Sequence, residues 1–452
     1  MCWTRPSAVQ ADLAVPENRK IMEINQLYEL FLASEGVNTD TRTLRPGQLF
    51  VALKGENFDG NDYVLQAIEA GASYVIANEY AAGEDARILR FPDTLRTLKE
   101  LAACHRQQLE IPVIGLTGTN GKTTTKELIR TVLSTQYRVV ATKGNLNNDI
   151  GVPLTVLGIG PEAEIAVVEM GASHPDDISA LTWVSRPGYG LITNVGKAHL
   201  LGFGSFEGVK KAKGQLYDLL SEHDGQAFVN VDDDNLYEMA LQRPLSIIPY
   251  GVEGEDAEIL PLSAEHPFLR MSIGGEILET RLVGSYNAAN VMAALAVGRQ
   301  FGISLAEGMA AIAAYTPSNN RSQMTRTERN VVIEDAYNAN PSSMSAALDN
   351  FASLEAPCKV VLLGDMRELG EDSVKEHVRI LEKLDACGLT HACLVGEEFG
   401  KALALSGTPA YVKWFATSDD LAAALTERPL TGATILVKGS NSMRMGKVLP
   451  KL

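Results

Sequence analysis

The chain has 452 residues, 45% of them hydrophobic and 21% charged, with a formal net charge of −16. That length exceeds what one hydrophobic core supports, so two or three domains are expected. The composition is that of a globular protein, and the negative charge excludes a broad basic face for nucleic acid or an anionic membrane, though not a small anionic ligand held by a few cations and backbone amides. Five scattered cysteines, Cys2, Cys104, Cys358, Cys387 and Cys393, form no Cys-x-x-Cys pair. They read as reduced thiols rather than a disulfide frame or a zinc site. The apolar runs are too short and interrupted to span a bilayer, and a cytoplasmic location is expected. The opening "MCWTRPSAVQADLAVPENRK" has no apolar core and carries two prolines. Residues 1–21 are expected to be a disordered extension or the product of a misplaced start codon.

Three segments follow in chain order. From 22 to 108, "QLFVAL" and "ASYVIA" read as short strands with a helical "DYVLQAIEAGA" between them. From 109 to 316, strands are expected at "IPVIGL", "YRVVAT", "IAVVEM", "YGLITNV" and "QAFVNV", and helices over 121–135, 206–222 and 287–302. From 317 to 452, the strands are "VVIEDA", "KVVLLG", "HACLV", "YVKWF" and "TILVKG", with helices such as "SSMSAALDNFASL" between them. Apolar strands alternating with amphipathic helices predict doubly wound parallel α/β sheets in the second and third segments.

At "GLTGTNGKTTTKEL", residues 115–128, a glycine-rich turn joins a β-branched run to a helix. Such a turn cradles phosphate with backbone N–H groups. The strict Walker A spacing fails, because Leu116 stands six residues before Lys122 where that loop has glycine. Gly118 and Gly121 still permit the turn, Lys122 can reach the β- and γ-phosphates, and the Thr123 hydroxyl can bind Mg²⁺. "IAVVEMGASHPDDI" ends a strand in Glu169, a candidate ligand for the nucleotide's metal at the carboxyl edge of the sheet. His174 in the same loop reads as a solvated histidine. "LITNVGKAHLLGFGSFEGVKKAKGQL" carries His199 on a loop leaving that edge, then Lys210, Lys211 and Lys213 on the next helix. A solvated basic face accounts for Lys210 and Lys211. Asn287 and Asn290 stand three apart at a helix start, as an N-cap or as amides reading adenine, and spacing leaves both open. Arg321 is a candidate phosphate clamp; Asp335 ends a strand before the polar loop "YNANP", and "LLGDMRELG" repeats the strand-to-loop theme.

Together these stretches resemble the Mur ligases, ATP-dependent amino-acid and peptide ligases of bacterial cell-wall synthesis, over nearly the whole chain from about Met22. "TGTNGKTT" at 117–124 is the family's own phosphate loop, which places its glycines differently from Walker A. "NLNNDIGVPLTVL", "EMGASHPDDI", "YNANPSSM" and "GDMRELG" resemble the MurF branch, which joins D-alanyl-D-alanine (D-Ala-D-Ala) to the UDP-N-acetylmuramoyl tripeptide. "DTRTLRPGQLFVALKGENFDGNDYV" resembles the uridine-nucleotide-binding domain shared by the MurE and MurF branches. The resemblance implies three domains: a small α/β domain for the UDP substrate, a central P-loop-type parallel sheet for ATP, and a Rossmann-like C-terminal domain.

It also implies roles. Gly118, Thr119, Asn120, Gly121, Lys122, Thr123 and Thr124 hold the phosphates. Thr123 and Glu169 ligate one Mg²⁺, and His199 and Lys213 a second, with Lys213 carried as a carbamate. Lys122, His199 and Lys213 form the catalytic group. Asn287 and Asn290 face adenine, Arg321, Asp335 and Asn338 meet the nucleotide from the C-terminal domain, and Thr41 and Arg42 face uridine. Two positions depart from the family pattern: Asn441 stands where arginine is usual, and Tyr286 where histidine is usual. The implied reaction passes through an acyl phosphate in a monomeric enzyme. The nearest rivals are the MurE branch and the folylpolyglutamate synthases. A P-loop GTPase lacks support, since no Asn-Lys-x-Asp motif occurs.

Overall fold

The computed structural model describes residues 22–253, 256–263, 266–317 and 323–452. The readings of residues 1–21 and of Arg321 lie outside the described residues. The chain divides into two units, one ending at Cys104 and the other running from His105 to Leu452.

The first unit holds a four-stranded parallel sheet in the order Val37–Asn38, Leu49–Val51, Tyr74–Asn78, Ile88–Phe91. Its strands are apolar because both faces are covered. Phe50, Val75 and Ala77 pack with Val64 and Ala67 of the helix Val64–Glu69.

In the second unit, a six-stranded sheet follows the order Ser246–Tyr250, Gln226–Asn230, Tyr189–Ile192, Val113–Thr117, Ile165–Glu169, Val139–Ala141. All its pairs are parallel. The chain builds one side of Val113–Thr117 first and later returns to the other. The loops after Thr117 and Ile192 therefore part around a crevice, the place where ligands bind in open α/β sheets. Helix Lys122–Leu133 buries Thr125, Leu128, Ile129, Val132 and Leu133, a single apolar stripe. It packs against Ala288–Gln300, nearly all of whose first ten residues are buried. Such all-round burial suits a helix sandwiched inside the core.

The second six-stranded sheet runs Gln323–Arg326, Val331–Asp335, Thr434–Lys438, Lys359–Gly364, His391–Val395, Val412–Phe415. The expected strands and helices are all present, but purely parallel sheets are not the whole architecture. Gln323–Arg326 is an antiparallel edge strand. A three-stranded antiparallel sheet, Ala257–Ile259, Arg270–Ile273 and Glu276–Glu279, was not expected from the sequence. The four cysteines among the described residues are free thiols. No helix of the described residues is long and apolar enough to cross a membrane.

Candidate active site

The phosphate loop links the strand Val113–Thr117 to the helix Lys122–Leu133. Two glycines make it possible. Gly121 is left-handed, with φ +79°, and caps the helix. Gly118 has φ +146°, and a Cβ there would lie 1.9 Å from Thr193 Oγ1, so a side chain has no room. The neighbouring strand-end loop braces the turn. Asn194 accepts from Asn120 N at 2.9 Å and donates to Asn120 O at 3.0 Å. Thr119 N donates to Asn194 O at 3.0 Å, and Thr119 Oγ1 accepts from Gly196 N at 2.9 Å. The Lys122 ammonium folds back onto the loop carbonyls of Gly118 and Thr119, at 2.8 and 3.2 Å. Thr124 is half-buried in the first turn. A helix N-terminus offers backbone N–H groups that the helix itself does not use, and this suits an anion.

Beside the loop lies a buried polar cluster. Thr123 Oγ1 is 3.0 Å from both carboxylate oxygens of Glu169, which is 1% exposed. Asn147 Nδ2 donates to Glu169 Oε1 at 2.8 Å. Lys126, wholly buried, donates to Thr142 O at 2.6 Å and stands 3.9 Å from Glu169 Oε2, while Glu169 N donates to Thr142 Oγ1. Sequence reasoning gave no role to Asn147, Lys126 or Thr142. The signal was a lysine on the buried stripe of the helix, four residues after Lys122.

His199 and Lys213 come together around Phe203. The His199 ring lies edge-on to Phe203 at 6.4 Å, and Lys213 Nζ lies 5.9 Å over the same ring. Burial pushes the His199 pKa down against the pull of Glu368, and the charges of Lys122 and Lys213 add to that lowering. Lys213 belongs to the helix Phe206–Glu222, capped by Ser205, and shares its buried stripe with Val209, Ala212, Leu216 and Tyr217. It makes no hydrogen bond or ion pair among the described residues. Burial, then the nearby Lys122, pushes its amine well below the ordinary lysine pKa. Lys211 is exposed as expected, whereas Lys210 is only half-buried and lies over Phe206 at 5.9 Å. His174 is exposed, as expected.

Asn290 and Asn287 are buried beside the loop. Asn290 accepts from Thr125 Oγ1 at 3.0 Å and donates to Asn287 Oδ1 at 2.8 Å, and Asn287 donates to Val283 O. Neither side chain caps its helix. A Cβ on Gly121 would stand 2.8 Å from Asn290 Oδ1, so this helix closes one side of the turn.

From the other sheet, Asp335 pairs with Lys438 Nζ at 2.5 Å, and the same ammonium donates to Asn338 O at 3.3 Å. Asn338 itself is exposed. Lys438 was missed in the sequence, although a lysine ending an apolar strand was there to be seen. Side-chain contacts join this part to the phosphate loop's own sheet. Asn340 Nδ2 donates to Asn120 Oδ1 at 2.8 Å, Lys197 pairs with Glu376 at 3.0 Å, and His199 Nδ1 meets Glu368 Oε2. Thr41 and Arg42 lie in a turn of the first unit. Arg42 is highly exposed and forks onto Asp40 at 2.7 Å, holding that carboxyl down at about 2.

Residues 34–106 match the description "Mur ligase family, catalytic domain", residues 116–298 "Mur ligase middle domain", and residues 320–441 "Mur ligase, glutamate ligase domain". The UDP-N-acetylmuramoyl-tripeptide--D-alanyl-D-alanine ligase of Bacillus subtilis is 35% identical over 427 residues, covering 92% of this chain and 93% of its own length. The chain belongs to the Mur ligase family. Among solved structures, MurF from Acinetobacter baumannii superposes with a TM-score of 0.81 at 31% identity, over 94% of this chain and 97% of that one. The MurF ligase from Thermotoga maritima in complex with ADP gives 0.80 at 26% identity, over 93% and 97%. Membership accounts for the glycine spacing that departs from Walker A: in this Mur ligase, bracing by Asn194 and Gly196 shapes the loop.

Proposed function

We propose that the chain is an ATP-dependent ligase that adds D-alanyl-D-alanine to the UDP-N-acetylmuramoyl tripeptide, acting as a cytoplasmic monomer. The relatives supply the substrate class. The observation that carries the chemistry is the crevice itself. A phosphate-cradling helix N-terminus, a buried carboxylate and a buried amine with no hydrogen bond or ion pair among the described residues converge there.

A carboxylate and an amine do not condense in water, because hydroxide is a poor leaving group. The tripeptide carboxylate oxygen attacks the γ-phosphorus of ATP, the bond to ADP breaks, and an acyl phosphate forms. The dipeptide amine attacks the acyl carbon, phosphate departs, the nitrogen loses its proton, and an amide remains. The loop amides and Lys122 bind the transferring group and spread its charge. Asp335 and Asn338 meet the nucleotide from the C-terminal side and, with Asn340, help keep water from the acyl phosphate. Asn287 and Asn290 form the wall on the adenine side, and Thr41 and Arg42 take the uridine end of the substrate.

Mg²⁺ fits the residues present. Thr123 and Glu169 offer hard oxygen donors next to the phosphate cradle, the usual minimal protein share of a magnesium site. Among the described residues no three His, Cys, Asp or Glu side chains gather into a metal site; Thr123 and Glu169 would hold the first cation together with nucleotide phosphates. A second cation would be held by His199 and Lys213. Lys213 as an ammonium would repel it, but a neutral amine can add carbon dioxide to give a carbamate, which offers oxygens. When bound, the cations neutralise charge on the phosphates.

Phosphate release tests the reading. It is expected only when ATP, the muramoyl tripeptide and D-Ala-D-Ala are all present, with a pentapeptide product by mass. Release driven instead by a free amino acid and a shorter muramoyl peptide would overturn the substrate assignment.

A further inference from the structure

His199 has φ +50° and Glu368 has φ +65°, in the left-handed region that side chains beyond glycine rarely occupy. Such a conformation is disfavoured for a side chain with a Cβ, so its surroundings must hold it there. These two hold each other, one from each six-stranded sheet's loops. His199 Nδ1 meets Glu368 Oε2, and Leu201 N donates to Glu368 O at 3.4 Å. Gly370, with φ +57°, packs close enough that a Cβ would touch Leu201 at 3.5 Å.

An exposed ion pair by itself adds little stability. That does not account for two left-handed residues built to meet. The carboxylate can only accept, so it fixes the ring hydrogen of a neutral His199 on Nδ1 and leaves Nε2 with a lone pair. Carboxylates play this outer role for metal-binding histidines generally, fixing tautomer and ring orientation. The strand-end loop bearing Glu368 is distinct from the one bearing His199, so the histidine's partner arrives with the C-terminal sheet.

We propose that Glu368 is a positioning residue that locks the His199 ring with its hydrogen on Nδ1. Nε2 then keeps its lone pair, and completion of the crevice depends on docking of the 365–370 loop. The proposal rests on the ligase reading above, to which it adds a residue.

The test is nitrogen-15 NMR of histidine side chains in the full chain at pH 8, without nucleotide or metal. The His199 signals are identified by their loss in His199→Gln. Wild type is expected to show the Nδ1–H tautomer. Glu368→Leu and Glu368→Ala are expected to move it toward Nε2–H, and Glu368→Gln, which keeps an acceptor, to retain it. Glu368 is 58% exposed, so these truncations spare the core. Glu376→Gln cuts a different contact between the two sheets' loops and is expected to leave the ring unchanged. In turnover, Glu368→Leu is expected to lower kcat about 10–100-fold with little change in the KM for ATP, and Glu368→Gln is expected to recover most of it. An Nε2–H ring in wild type, or identical rings in wild type and Glu368→Leu, would overturn the proposal. The tautomer is read without substrates. A wild-type chain that ligates nothing would therefore sink the ligase reading while the NMR still decides this one.

Discussion

Lys213 and Lys438 are buried beside the carboxyl edges of different six-stranded sheets, and the two are treated in opposite ways. Lys438, 2% exposed, is matched to Asp335 and to the carbonyl of Asn338. Lys213, also 2% exposed, has aromatic and aliphatic neighbours and another cation nearby. An isolated buried charge costs several kcal/mol, so a chain that merely needed stability would place an apolar residue at 213. Lys438 is a clamp that shapes the "YNANP" loop. Lys213 makes no hydrogen bond or ion pair among the described residues, and perturbed groups of this kind concentrate at functional sites.

The largest effect expected is at the phosphate loop between them. Lys122→Met should lower turnover by about 10²–10³-fold, with an unchanged circular dichroism spectrum. A loss below tenfold would show that the backbone amides suffice and that the lysine is spare.

Lys213 and Lys438 should then separate activity from stability. Lys213→Met is expected to abolish about 99% of turnover while leaving the melting temperature equal or higher, since no partner is orphaned. Lys438→Met leaves Asp335 uncompensated and should cost about 3 kcal/mol of stability, read as a lower melting temperature. The reverse pattern would break the comparison.

These contrasts also mark what the sequence could tell. The loop 118–124 was legible because its meaning is local: glycine, lysine and hydroxyl stand in one turn between a strand and a helix. Lys213 was singled out only through the family resemblance, since a lysine in a basic run otherwise reads as solvated. Glu368 and Lys438 were not, because their roles come from contacts with His199 and Asp335 that only folding creates. The sheet over 257–279 was missed for another reason. Its strands, such as "RMSI" and "EILE", are too short and mixed to show a period. Asn287 and Asn290 show the limit of motif reading. Spacing left an N-cap and an adenine contact both open; neither side chain caps the helix, and their amides bond to Val283 and to Thr125.

A smaller effect is expected with pH in the C-terminal sheet. His377 is wholly buried, with Nδ1 donating to Ser373 O at 2.7 Å and Nε2 accepting from Met366 N at 3.0 Å. Burial pushes its pKa down, against the pull of the Ser373 carbonyl, Asp365 and Glu398, with Arg367 adding to the lowering. The folded ring binds its proton more weakly than the unfolded one. Its contribution is therefore full above about pH 6.5 and is lost as pH falls below that toward the lower folded value. Denaturant unfolding should show wild type losing stability across that window, and His377→Gln losing less. An equal acid-side loss in both would remove His377 from the account.

The smallest change sharpens the join between the two sheets. Asn340 caps the helix Pro341–Ser353 through Oδ1, which accepts from Ser343 N, and donates through Nδ2 to Asn120. Asn340→Asp keeps the cap and loses the donor. The expected cost is about 1 kcal/mol, seen as a several-fold higher KM for ATP at constant melting temperature. An unchanged KM would mean that the Asn120 contact does not hold the loop for nucleotide.

The claim on which the rest depends is that ATP activates the tripeptide's carboxylate. Tripeptide labelled with oxygen-18 in that carboxylate, ligated to D-Ala-D-Ala with unlabelled ATP, decides it by mass spectrometry of the released phosphate. One labelled oxygen in each phosphate is predicted, because the carboxylate oxygen that attacks phosphorus leaves with it. Pentapeptide formed with unlabelled phosphate would contradict the account.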